Sequence, residues 1–207
     1  MRSDQEIVHE AIRTYLDALD SNSLPEKREV AFYGGSFTGL TVERQNNLFN
    51  AVRPWINSGH INSIRVSTHS LLVDDSNISF LKDNFVEVVE LGIQSTNNEV
   101  LNAVGRPCGF ATVEGAVKSI RKKELTLGLQ LMPGLPKDDE STFLQSVKDV
   151  ISLRPDFVRI YPTLVIRNTT LFKMYNTGEY LPWSLDRMLQ LVKGAMIEFE
   201  KADIPVI

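Results

Sequence analysis

Five short segments concentrate the polar and glycine residues most suited to chemistry, and each follows directly on an apolar run. They are Tyr33-Gly-Gly-Ser-Phe-Thr38, Ser67-Thr-His69, Gly92-Ile-Gln-Ser95, Gln130-Leu-Met-Pro-Gly-Leu-Pro136 and Arg159-Ile-Tyr-Pro-Thr163. Gly34 and Gly35 let the backbone approach a ligand closely, and their free amide and carbonyl groups suit an amino or carboxylate group; the other reading is a plain tight turn. They are not the spaced glycine loop that cradles phosphates. Gln94 and Ser95 follow a very apolar stretch, and a buried amide there demands partners from a ligand or a neighbouring loop. Arg106 carries a fork suited to a carboxylate, unless it is simply a solvated surface arginine.

The remaining reactive side chains offer less. His69 is a candidate base or ligand, but His9 and His60 read as surface residues, so no histidine cluster emerges. Cys108, between Pro107 and Gly109, reads as a loop cysteine rather than a reactive thiol. Tyr161 and Arg167 are candidates for the far end of a cleft. Asp138, Asp139 and Asp203 lie near helix boundaries, where carboxylates cap helices. Neither paired carboxylates for glycoside chemistry nor a Gly-x-Ser-x-Gly elbow is present. An α/β enzyme using His69 or Arg106 on a phosphorylated substrate needs a phosphate site at a helix N-terminus, and no glycine-rich loop supplies one.

The elements that must position these segments alternate. Ile7, Val8, Ala11, Ile12, Tyr15, Leu16 and Leu19 give one apolar helix face over 4–19, broken by Asn22, Ser23 and Pro25. Strands are predicted at 29–33, 61–67, 86–93, 125–132 and 157–161, with a strand-like stub at 204–207. Helices are predicted at 42–56 (capped by Thr41), 75–83, 96–104, 111–122, 139–153 and 184–202. This alternation implies parallel pairing with right-handed crossovers, and strands so apolar are expected to be covered on both faces. Five strands are too few for a closed eight-stranded barrel, leaving an open, curved partial barrel or a doubly wound sheet. In either, ligands bind where the strands end. A β/α repeat should begin with a strand, whereas this chain begins with a helix; a first strand and its loop are expected before Met1, with both ends truncated.

At 207 residues, 43% apolar and 23% charged, the chain fits one globular domain over 1–207. The net charge of −4 comes without a basic stripe, so nucleic acid is not implied by charge. No apolar run reaches the roughly 18 residues of a membrane helix, and the N-terminus carries no signal peptide, so the expected location is cytoplasmic. The single cysteine allows no internal disulfide and no all-cysteine metal site.

Together, the strand-end segments resemble the radical S-adenosylmethionine (SAM) superfamily. Tyr33-Gly-Gly-Ser-Phe-Thr38 resembles its second-strand glycine motif, Val89-Glu-Leu-Gly-Ile-Gln-Ser95 its fourth-strand segment and Leu131-Met-Pro-Gly-Leu-Pro136 its fifth. The resemblance is to the branch that holds the Elongator catalytic subunit and the oxygen-independent coproporphyrinogen oxidases, and within it Val158-Arg-Ile-Tyr-Pro-Thr-Leu164 followed by Gly178-Glu-Tyr180 resembles the bacterial Elongator-like proteins. The resemblance runs from Glu29 to Ile207.

It implies a partial (β/α)6 TIM-like barrel in which SAM lies across the strand ends and chelates a 4Fe–4S cluster. One electron from the cluster then cleaves SAM to a 5′-deoxyadenosyl radical that abstracts hydrogen from a substrate. By the same resemblance Gly34 and Gly35, with Ser36 beside them, bind the methionine amino group, and Ser67 sits near the amino-acid end of SAM. Gln94 lies near the ribose, Arg106 pairs with the carboxylate, and Gln130 through Gly134 line the ribose or adenine side. The sequence does not name a parent enzyme's substrate: the Elongator-like side of the resemblance implies tRNA, and the oxidase-like side a porphyrin-like molecule. The chain departs from the family at three places. The cluster motif Cys-x3-Cys-x2-Cys is absent and expected within roughly 40 residues upstream. Ser67-Thr-His-Ser-Leu71 replaces Ser-Thr-Arg-Pro-Asp, and Arg106-Pro-Cys-Gly109 replaces Arg-Gly-His-Thr. The expectation is a radical SAM core, inactive as written; the alternative is a degenerate binding or scaffold domain of the same fold.

Overall fold

The apolar runs become strands β1 (Glu29–Phe32), β2 (Ser63–Thr68), β3 (Val86–Gln94), β4 (Thr126–Leu131) and β5 (Phe157–Ile160) in a computed structural model that describes residues 2–19 and 25–207. The helix break read at Asn22 and Ser23 lies outside the described residues. Helix α1 (Asp4–Asp17) precedes the strands, α2 (Val42–Asn57), α3 (Asp75–Asp83), α4 (Asn98–Ala103), α5 (Phe110–Lys122) and α6 (Glu140–Leu153) run between them, and α7 (Thr170–Thr177) and α8 (Leu185–Lys201) follow. The ends follow local chemistry. Ser3 and Glu6 close a capping box on α1, Thr41 accepts from the Arg44 N–H to start α2, and Asp139 boxes with Thr142 at the start of α6. Asn97 caps α4, so that helix starts later than the apolar pattern alone suggests.

All four strand pairs are parallel, and the sheet order is β1-β2-β3-β4-β5. The order never reverses. Right-handed crossovers along such a sheet place every helix on the same face, the winding of a β/α barrel rather than of a doubly wound sheet. The stub at the end of the chain reaches β5 as expected: Val206 bridges Val158 in parallel, and the Ile207 N–H donates to the Val158 carbonyl at 3.0 Å.

Side chains alternate along each strand, and the two faces have opposite character. Val66, Leu91, Leu129 and Val158 join Phe49, Ile78, Ile120, Val147 and Phe199 from the helices in one buried apolar core. The other face carries Arg65, Glu90, Gln130 and Arg159. The strands are covered on both faces, but by different matter: helices on one side, and on the other a charged network together with the Phe157 ring, over which Arg65 and Arg159 lie. Gly128 makes room for that ring, since a Cβ there would stand 2.3 Å from Phe157 Cζ and 2.9 Å from Glu90 Cγ. No helix among the described residues is long and apolar enough to cross a membrane.

Candidate functional site

Where the strands end, the structure brings Gly34, Gly35, Ser36, Ser67, Gln94, Arg106 and Gln130 around one hollow of about 370 Å³, together with Tyr33, Thr68, Gly92, Arg159 and Tyr161. Gly34 turns the chain after β1 at φ +98°, a conformation that side chains resist. His69, Cys108 and Arg167 do not line the hollow. His69 Nδ1 accepts from the Leu71 N–H at 3.1 Å and so shapes the loop after β2. Burial, and then the charge of Arg106, hold its imidazole below the usual histidine range. Cys108 is buried, and burial pushes its thiol up, away from the reactive thiolate.

The rim is built by an irregularity in β3. Gly92 pairs with Gln130, and Gln94 with the next residue, Leu131, so Ile93 is an extra residue in the ladder. Such a bulge re-aims the side chain that follows it. Gln94 itself sits at φ +65°, left-handed and unfavourable for a glutamine by about 1–3 kcal/mol. Its Oε1 is buried without a hydrogen-bond partner. Gly92 leaves room for the amide, because a Cβ there would come within 2.8 Å of Gln94 Nε2. Arg106, in the loop after α4, donates from Nη2 to the Gly92 carbonyl at 3.0 Å, and its buried Nε has no partner. It forms no salt bridge among the described residues. Burial works against its charge and lowers its pKa, which the nearby Cys108 thiol only partly offsets.

Beneath the rim the chemistry is the reverse. The Glu90 side chain is fully buried and receives four donors from four neighbouring segments. Tyr33 Oη donates to Oε1 at 2.6 Å, Arg65 Nη1 to Oε1 at 2.9 Å, Gln130 Nε2 to Oε2 at 2.7 Å and Arg159 Nε to Oε2 at 3.0 Å. Burial raises the Glu90 pKa, yet the hydrogen bonds from Tyr33, Arg65 and Gln130 and the charge of Arg159 outweigh it, leaving the carboxyl below its ordinary value. Tyr33 is pushed up to about 12, by burial and by its bond to Glu90. Arg65 also binds Glu29 at 2.7 Å, so the floor joins all five strands.

The loop after β4 is clamped from two sides. Tyr180 Oη donates to the Gly134 carbonyl at 2.6 Å, and the Gly134 N–H donates to Asp138 Oδ2 at 2.9 Å. Gly134 is at φ +84°, and a Cβ there would meet Met188 Cε at 2.9 Å. Asp138, read from sequence as a capping residue, thus holds a strand-end loop, while Asp139 does the capping.

Sequence reasoning missed Glu90 and Arg65 as parts of the site, and it placed Arg159 at a strand end without giving it a role. The signal was present: a carboxylate inside Val88-Val89-Glu90-Leu91 has to find partners when the strand is buried.

The radical SAM superfamily model matches residues 1–150 of this chain, and the model of the radical SAM C-terminal domain matches residues 155–207. The chain belongs to the radical SAM superfamily. Over 113 residues it is 34% identical to the tRNA uridine(34) acetyltransferase of Methanocaldococcus jannaschii, covering 52% of this chain and 20% of that protein. It is 29% identical to the anaerobic coproporphyrinogen III oxidase 1 of Cereibacter sphaeroides over 129 residues, 62% of this chain and 28% of the oxidase. The solved structure of Methanocaldococcus infernus Elp3 with an N-terminal deletion overlays with a TM-score of 0.79 at 23% identity, covering 91% of this chain and 49% of the other. The chain therefore spans less than half of each of these relatives, and the last likeness shows the fold.

Radical SAM proteins hold SAM and an iron–sulfur cluster, and the residues present fit the two differently. A guanidinium without a protein anion, an amide oxygen without a donor and a glycine leaving room beside them fit the polar end of SAM. The cluster finds no such match. Cys108 is the single cysteine of the sequence, and among the described residues no three His, Cys, Asp or Glu side chains gather as they would around a metal.

Proposed function

We propose that residues 1–207 form one partial-barrel unit of a radical SAM enzyme and that its rim hollow binds SAM. The observation that carries this reading is that two residues lining a single hollow at the strand ends, Gln94 and Arg106, each hold a buried atom without a partner, Oε1 and Nε. Arg106 takes the carboxylate through its fork. The backbone at Gly34 and Gly35, with Ser36 and Ser67, takes the amino-acid end, and Gln94 and Gln130 take the ribose hydroxyls. SAM bound beside a reduced cluster supplies the family's radical hydrogen abstraction. This chain's own share is binding, orientation and a dry, ordered floor. By itself the chain is proposed not to cleave SAM, because Cys108 alone cannot hold a cluster.

For the whole protein we propose tRNA as the substrate class, supported by the match to the archaeal tRNA uridine(34) acetyltransferase, with a porphyrin-type molecule as the competing class from the match to the coproporphyrinogen oxidase. A cytoplasmic location suits both a thiolate-held cluster and the reduced Cys108 thiol. A second reading, a binding or scaffold domain that has lost catalysis, draws support from Ser67-Thr-His-Ser-Leu71 and Arg106-Pro-Cys-Gly109, which depart from the family pattern at the rim itself.

Titration calorimetry of this chain with SAM, free of iron, tests the assignment. The core reading expects a dissociation constant on the order of 0.1–1 mM. Submicromolar binding favours the scaffold reading, and no binding overturns the site. Reconstitution of the longer protein with iron and sulfide under anaerobic conditions, with SAM cleavage as the readout, tests the enzyme.

A further inference from the structure

An ionised carboxylate accepts hydrogen bonds and donates none. Glu90 is buried and held ionised by its four donors, so the Gln130 amide has one workable orientation: Nε2 toward Glu90 Oε2 at 2.7 Å. Its Oε1 must then point the other way. That oxygen lies 3.6 Å from where a Cβ on Gly92 would stand, a space bordered also by Gln94 Nε2 at 2.8 Å and Arg106 Nη2 at 3.7 Å. Gln130 lines the hollow, and its Oε1 takes no hydrogen bond among the described residues. Gln94 also lines the hollow, and its Oε1 is a second acceptor, buried and without a donor. Tyr33, Arg65 and Arg159 fix the carboxylate itself from three other strands or strand ends, so its direction is not free to adapt.

We propose that Glu90 is a positioning residue that sets the hydrogen-bond direction of the hollow, turning Gln130 into an acceptor that selects ligands bringing hydroxyl donors. This inference rests on the SAM reading of the site, where those donors are the ribose hydroxyls. Glu90 touches no ligand; it acts through Gln130.

The test uses 5′-deoxyadenosine and 2′,5′-dideoxyadenosine as probes, with NMR titration of the intact chain. The Gln130 side-chain amide signal is assigned by its loss in Gln130→Met. In the wild type that signal is shifted away from those of exposed glutamines and its protons exchange slowly with water. The wild type prefers 5′-deoxyadenosine by about five- to tenfold, the worth of one hydrogen bond. Glu90→Gln lets the Gln130 amide turn over and brings its signal back among those of free glutamines; the preference falls by about twofold or more but does not vanish, because a hydroxyl can also accept from Nε2. A folded scaffold role for Glu90 would lower stability without touching the preference between the two probes. If Glu90→Gln does not fold, Gln130→Met carries the affinity half: it keeps Glu90 and must lower the preference by about twofold or more, the remainder belonging to Gln94. A wild-type Gln130 amide that behaves like a free glutamine overturns the proposal, and so does a preference left unchanged by the variants that fold. A wild type that binds neither probe while its Gln130 amide stays locked overturns the choice of ligand, and marks the SAM reading as the part that failed.

Discussion

The rim and the floor of the hollow both bury arginine and other polar side chains at the strand ends, yet they end in opposite states. On the floor, Glu90, Arg65, Arg159 and the Tyr33 hydroxyl satisfy one another inside the sheet. On the rim, Gln94 and Arg106 are half-buried, and each is left with an unmatched buried atom. A buried polar group that is satisfied stabilises or specifies the fold, and one that is not costs free energy unless something else completes it. The comparison separates architecture from function: the floor should register in stability, the rim in binding.

The largest break of this contrast is Glu90→Leu. It strips Arg65 and Arg159 of a shared buried partner, and stability should fall by about 3–5 kcal/mol in urea denaturation. A loss below about 1 kcal/mol would mean the floor is not the structural half. Gly128→Ala comes next. Its Cβ would press on the Phe157 ring and on Glu90 Cγ, and overpacking of this kind costs about 1–3 kcal/mol, read as a lowered midpoint.

Acid sharpens the same point. Glu90 has its pKa depressed in the folded state, so its stabilisation is complete above its ordinary value of 4.5 and disappears as pH falls through the lower folded value. Below pH 4.5 the wild type should therefore lose stability more steeply than Glu90→Gln; parallel acid profiles would contradict the ionised hub. The smallest stability effect belongs to the rim. Arg106→Met removes a half-buried charge without a protein anion, so stability should change by less than about 0.5 kcal/mol, while SAM binding drops by about tenfold or more.

Much of the architecture was legible before the structure. The apolar runs and their glycine, proline and polar stops gave the five strands within a residue or two, because a strand buried in a parallel sheet has to be apolar and has to end abruptly. Gly34 and Gln94 were legible through the rule that ligands sit at strand ends, and Arg106 joined them only through the resemblance to the radical SAM superfamily. Helix α7 was not read, since Thr170-Leu-Phe-Lys-Met-Tyr-Asn-Thr177 buries none of its residues fully, although Thr169 and Gly178 were usable cap signals. The inner polar face escaped because hydrophobicity along Val86–Gln94 is nearly continuous and hides Glu90. The left-handed Gln94 escaped because nothing local demands it; the bulge that produces it depends on register with β4.

Chemical-shift mapping of SAM on the intact chain tests the central contrast most directly. The account predicts that the perturbed backbone amides are those of Gly34, Gly35, Gly92, Gln94 and Arg106 at the rim, with the Glu90 and Arg65 amides nearly still. Perturbations centred on the separate hollow around Met196, Ile204 and Val206, or a spectrum unchanged at millimolar SAM, would contradict it.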